Sequence, residues 1–238
     1  MSETIYFNAN EIRQSMGLAL TRMEAGFEES YKRSVRKTNG WHILPFRADI
    51  LFQIFPSVHI SPGWKLAFYQ FTGINIHKIQ PWAIPNDHNL PEPNIKPNDI
   101  TSWNIIPQPV ESRDFREVIS GNGSPYSYMV FPLFEMLISY LYLPDGKWMN
   151  LRHIIDINDL DALDDRERRW LSPPNHTIWH REKPEDWRPR VIMDHKTVDV
   201  VFYSRWGGEY EIFQCYNTYG YDYGLLNREI TKIASLSV

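Results

Sequence analysis

Two runs near the C-terminal end, Thr197–Ser204 and Glu209–Tyr216, are rich in β-branched and aromatic residues and flank Arg205-Trp206-Gly207-Gly208. Paired glycines accept the left-handed backbone of a tight turn, so the pattern reads as an antiparallel hairpin. An isolated hairpin is marginal in water and needs further strands or a helix against its apolar face. The rest of the chain must therefore supply a sheet and its cover.

Helical cover is legible in two places. Ile12, Met16, Ala19, Leu20, Met23, Phe27, Tyr31 and Val35 recur at three- and four-residue steps after a possible cap at Asn8 or Asn10. This predicts a long N-terminal helix, ended by Asn39-Gly40. Met129 to Tyr142 is apolar nearly all round, which predicts a buried central helix with Pro132 in its first turn. A charged helix is expected over 156–171, and a last one over 225–234.

Short aromatic runs at 49–55 and 64–71, punctuated by Pro56 and Ser61-Pro62-Gly63, read as neighbouring antiparallel strands. From about 79 to 125, prolines recur too often for a long helix or a central strand. Trp82, Ile84, Ile95, Trp103, Ile105 and Ile106 are interleaved there, and flexible linkers rarely carry such apolar anchors. We read an ordered Pro/Trp-rich excursion over a single α+β domain spanning 1–238, with a mainly antiparallel sheet.

Charge and cysteine content narrow the function classes. The chain carries a formal net charge of −4, so the cationic excess that holds duplex nucleic acid is missing. Its densest basic run, Lys32 to Lys37, falls where a helix dipole favours positive charge. Cys215 is the one cysteine, which rules out an internal disulfide and a thiolate cluster. The N-terminus lacks a basic start and an apolar core, and the apolar stretch 126–143 is interrupted by Pro132, Glu135 and Ser139. A cytoplasmic protein with no membrane role is expected.

Three constellations carry possible chemistry. His176 and His180 lie four apart with Glu182 close behind, a spacing that on a helix lets two imidazoles share a metal. The water-activating Glu of metalloproteases is missing beside them, and surface histidines explain the same residues. Asp199 on one hairpin strand and Glu209 and Glu211 on the other could hold a divalent ion for hydrolysis. That set resembles the Asp and Glu-x-Lys arrangement of the restriction-endonuclease-like fold, which would imply a nuclease. It departs from the pattern, with Glu211 at the lysine position and no upstream Pro-Asp. A solvent-facing polar side opposite Tyr210, Ile212 and Gln214 accounts for the same acids without chemistry.

The third constellation is the aromatic surplus, 14% of residues with nine Trp. Trp82, Trp103, Trp179, Trp187 and Trp206 fall outside periodic segments, and Tyr216, Tyr219, Tyr221 and Tyr223 crowd one late stretch. Loop aromatics serve either as recognition anchors or as lids over the core. The first role favours a non-catalytic protein-binding module, of inhibitor or immunity character, that needs no cofactor and contacts another protein through Trp82, Trp103, Trp206, Tyr219 and Tyr221. The second reading is a metal-dependent hydrolase using Asp199, Glu209 and Glu211.

Overall fold

The computed structural model describes residues 2–34, 40–44, 46–73, 76–89, 108–139, 153–154, 177–205 and 211–236. In chain order these form β1 (Glu3–Tyr6), α1 (Ala9–Ser34), β2 (Gly40–Leu44), α2 (Asp49–Ile54) and β3 (Val58–Ile60). β4 (Trp64–Gly73), β5 (Ile76–Pro85), a 3-10 turn at Phe115–Glu117, β6 (Ile119–Gly121) and α3 (Pro125–Ser139) follow. Then come β7 (His153–Ile154), β8 (Thr177–Trp179), β9 (Arg190–Met193), β10 (Val198–Arg205), β11 (Glu211–Tyr219) and β12 (Leu225–Leu236). The protein is a mixture of helix and mostly antiparallel sheet. Among the described residues no helix is long and apolar enough to cross a membrane.

Backbone proximity divides the chain into two compact units. The first comprises Met1–Ser15, Gly123–Pro132 and Met149–Val238. It holds a sheet of strand order β1-β9-β10-β11-β12-β8, with β7 also pairing β10. The hairpin expected from sequence is β10 against β11, in register from Val198↔Tyr219 to Arg205↔Ile212. Val198, Val200, Val201, Phe202 and Tyr203 are all buried, so β10 is covered on both faces. This is why its sequence is an almost continuous apolar run rather than an alternating one. On one face Trp187 packs against Tyr203, Ile212, Ile233 and Ala234, with Trp179 at its edge.

The second unit, Met16–Asn122 with Leu133–Trp148, holds the three-stranded sheet β2-β4-β5 and the pair β3-β6. Residues 64–71 are strand, as expected, but 49–55 are not: 49–54 form α2, with Phe55 as its C-cap. Leu51 and Phe55, one helical turn apart, are both buried, and Phe55 meets Phe134 edge-on at 5.8 Å. A four-residue spacing of the buried pair matches a helix, and Asp49 sits in the first turn where negative charge is favoured. The neighbours of β4 are therefore β2 and β5.

The Pro-rich segment also begins with more order than its composition suggests. Pro81 and Trp82 lie inside β5, paired with Phe68 and Ala67. β5 is an edge of its sheet, the one place where a missing N–H breaks no ladder. Its outer side carries the isolated bridge between Ala83 and Arg113, whose guanidinium lies 4.8 Å from the Trp64 ring centre. Residues 90–107, including Trp103, lie outside the described residues, as does the expected helix over 156–171.

Two further expectations are corrected. α3 is buried as predicted, but it starts at Pro125, so Pro132 is an interior residue instead of a first-turn one. Ser124 Oγ accepts from Ser127 N at 3.2 Å, capping the helix, and Pro125 takes the first helical position where its missing N–H costs nothing. The segment 225–234, expected as helix, is part of β12. It pairs along β11, with register shifts at Ile212/Phe213 and Thr218/Tyr219.

Candidate interaction surface

Of the three acids of the hydrolase reading, Asp199 and Glu211 lie at opposite ends of the hairpin. Asp199 lies opposite Thr218, whereas Glu211 lies beyond the Arg205↔Ile212 pair at the other end of the hairpin. At the rise of a strand, the stretch of β11 from Thr218 to Glu211 is roughly 20 Å or more, too far for one ion. Each acid also has a local partner. Thr218 Oγ1 donates to Asp199 Oδ1 at 2.8 Å, and Lys232 Nζ is ion-paired with Glu211. Burial, then the hydrogen bond to Asp199, pushes the Tyr216 hydroxyl up to about 12, so it stays protonated beside that carboxylate. Glu209 lies outside the described residues.

The histidine pair loses its geometric premise. Thr177–Trp179 is strand β8, so the helical turn that would stack His176 over His180 is replaced by an extended run. His180 Nε2 is bonded to Ser235 Oγ at 2.8 Å, and His176 is outside the described residues. Among the described residues no group of three or more His, Cys, Asp or Glu is placed to hold a metal. Cys215 is buried, with its sulfur 3.3 Å from Ser204 Oγ.

Most of the loop aromatics turn inward. Tyr219 is fully buried, edge-on to Phe131 at 5.6 Å, and is part of the core. Trp187 is buried and Trp82 half-buried, each with an indole N–H lacking a partner among the described residues. Trp206 is not described. Tyr223 stacks on Tyr128 at 4.1 Å, and its hydroxyl accepts from Gly123 N at 2.9 Å and bonds Ser127 Oγ. Burial and the neighbouring Tyr223 raise the Tyr128 hydroxyl well above its usual range. Tyr223 holds φ at 67°, a rare conformation for a bulky side chain, and these contacts keep it there.

Tyr221 is the exception. It is half-exposed, and its hydroxyl donates to the Asp194 carbonyl. A notch of about 340 Å³ lies elsewhere in this unit, lined by Tyr6, Phe7, Asn8, Ala9, Arg188 and Pro189. The Arg188 guanidinium covers the Tyr6 ring at 3.9 Å and forks onto Asp186 at 2.9 and 3.0 Å. Its charge is thus already matched, which holds the Asp186 carboxyl below the usual range.

Three exposed apolar side chains lie on β12. Leu226 is 64% exposed and Ile230 44%, with Leu225 beside them. One side of β12 pairs with β11 over its length, but β8 meets the other side only at Ala234, Ser235 and Leu236. His180 N and Arg181 N reach the Ile233 carbonyl. From Leu225 to Lys232 the outer edge has no backbone partner among the described residues. Reading 225–234 as a helix hid this surface. The signal that reveals it is the short Gly220–Gly224 segment, a hairpin spacing followed by β-branched Ile230, Thr231 and Ile233.

No family model matches the chain, and no curated protein or solved structure matches it significantly.

Proposed function

We propose that this chain is a non-catalytic protein-binding module, of inhibitor or immunity character, that contacts its partner through the outer edge of β12. The observation that supports the reading is exposed Leu225, Leu226 and Ile230 on a strand whose outer edge, from Leu225 to Lys232, has no backbone partner among the described residues. Soluble chains normally blunt such edges with proline, inward charge or short length, because an open apolar edge recruits other chains. β12 has twelve residues and no proline.

A photo-crosslinking amino acid placed singly at Leu226 or Ile230 tests this, with exposed Leu18 on α1 as control. Both β12 positions are expected to yield the same discrete adduct in cells, absent from the Leu18 variant. The captured protein, identified by mass spectrometry and purified, should bind the chain saturably and lose binding to Leu226→Lys. An identical adduct ladder from all three positions, or no adduct, refutes the assignment.

A further inference from the structure

We propose that Ser235 is an acylation site, in which His180 is the base that takes the serine proton and Ile178 seats the aliphatic chain of an activated acyl ester. The proposal goes beyond the reading of β12 as a contact surface and does not depend on it.

Strand pairing brings the three side chains together. Ile178 of β8 lies opposite Ser235 of β12, and His180 N and Arg181 N reach the Ile233 carbonyl at 2.9 and 3.3 Å, which carries the contact past the end of β8. Residues two apart on an extended run share a face, so Ile178 and His180 flank Ser235 on one side of the sheet. His180 Nε2 lies 2.8 Å from Ser235 Oγ. The imidazole is exposed and has no other partner among the described residues, which leaves Nδ1 to water. With the proton on Nδ1, Nε2 accepts from the serine hydroxyl, the pairing of nucleophile and base that acyl transfer needs.

The neighbours suit that step. Glu211 lies across from Ser235 on β11, where a bare carboxylate would oppose the negative charge that develops on an attacked carbonyl. Lys232 is ion-paired with Glu211 and offsets that charge. Ile178 is 49% exposed, an apolar side chain in water directly beside the nucleophile, and an aliphatic acyl chain would cover it.

Ser235 Oγ bonds to the acyl carbon while its proton passes to His180 Nε2. The bond from the acyl carbon to the leaving oxygen then breaks, and the imidazolium returns the proton to that oxygen or, when a stable phenolate departs, to solvent. Strand N–H groups lie in the plane of the sheet and not along its side chains, so β8 and β12 supply no oxyanion hole. Esters with a good leaving group are therefore the substrates, and the product is a modified chain rather than a turnover.

The described residues hold a comparator. Ser120 Oγ lies 3.1 Å from His59 Nε2 across the β3–β6 pair, but its same-face neighbours Ser57 and Asn122 are polar and offer no seat for an acyl chain.

The test incubates the full chain with p-nitrophenyl butyrate or p-nitrophenyl acetate and maps acylated peptides by mass spectrometry after an acid quench. We expect butyryl on Ser235, formed about threefold faster than acetyl there and than butyryl on Ser120. Ile178→Ser should erase the preference for butyryl. His180→Gln keeps a hydrogen-bonding side chain that cannot take the proton, and should slow the reaction at Ser235 at least about tenfold. The site and the ester preference are read on the parent chain, so no variant need fold for the proposal to fail. Acylation confined to lysines, equal labelling of Ser120 and Ser235, equal rates for the two esters, or an unchanged rate in His180→Gln overturns it. So does p-nitrophenolate release at the parental rate from Ser235→Ala, which would make the imidazole itself the nucleophile.

Discussion

Replacing Tyr223 by Phe removes one oxygen from the clamp between the 220–224 turn and the start of α3. In the native chain that oxygen accepts from Gly123 N at 2.9 Å and bonds Ser127 Oγ. Ser127 Oγ also donates to the Ser124 carbonyl at 2.6 Å, so it keeps one partner after the substitution. The main orphan is the Gly123 N–H, and leaving such a donor unpaired costs about 1–2 kcal/mol. For a chain of this size that lowers Tm by roughly 2–8 °C. Tyr223→Ala additionally removes the ring stacked on Tyr128 and tilted against Phe131 at 5.0 Å, and should cost about 3–5 kcal/mol. Urea unfolding followed by tryptophan fluorescence reads both variants, provided the denaturant slope is unchanged. A Tyr223→Phe midpoint within about 0.5 kcal/mol of the parent, or a Tyr223→Ala variant no worse than Tyr223→Phe, would refute the clamp.

Two further outcomes follow from other parts of the molecule. Asp114 accepts from Arg116 Nε at 2.8 Å and from Arg116 N at 3.0 Å, and the Arg116 hydrogen bond holds its carboxyl below the usual range. The folded state therefore binds that proton more weakly than the unfolded state. Its stabilising effect is full above the ordinary carboxyl range and lost as pH falls through the depressed folded value. Asp114→Asn should flatten the acid limb of urea midpoints measured between about pH 2 and pH 5; an unchanged limb would exclude the contribution. Limited proteolysis tests the single-domain expectation. The two compact units exchange chain at 15/16, 122/123, 132/133 and 148/149, so a cut within 90–107 frees neither unit as contiguous chain. The nicked protein should elute as one species, and two stable, separable fragments would overturn the expectation.

What could be read from the residues depended on whether the governing interaction was local. The β10–β11 hairpin and the apolar run of α3 are local signals: a turn, a residue period and an unbroken apolar composition state the element and its burial. The same logic failed at 49–55. A short apolar run there fits a strand or one turn and a half of helix equally well, and the packing of Leu51 and Phe55 decided for helix. The candidate site was less legible still. Asp199 and Glu211 looked adjacent because the hairpin was known before its register, and the register places them at opposite ends. Tyr219 and Tyr221 carry the same side chain two residues apart, yet one lies under Phe131 and the other is half-exposed.

The sequence by itself determined that the chain needs an antiparallel sheet, a deeply apolar helix against it and no disulfide, since these follow from composition, periodicity and a single cysteine. Only the tertiary structure decided that 225–236 is a strand. Those residues have no strict alternation to announce it; they are extended because β11 offers an edge to pair with, and among the described residues β8 pairs with their other side only at the far end. A strand edge is created by which segments stop short of it. That depends on remote parts of the chain, and no local pattern encodes it.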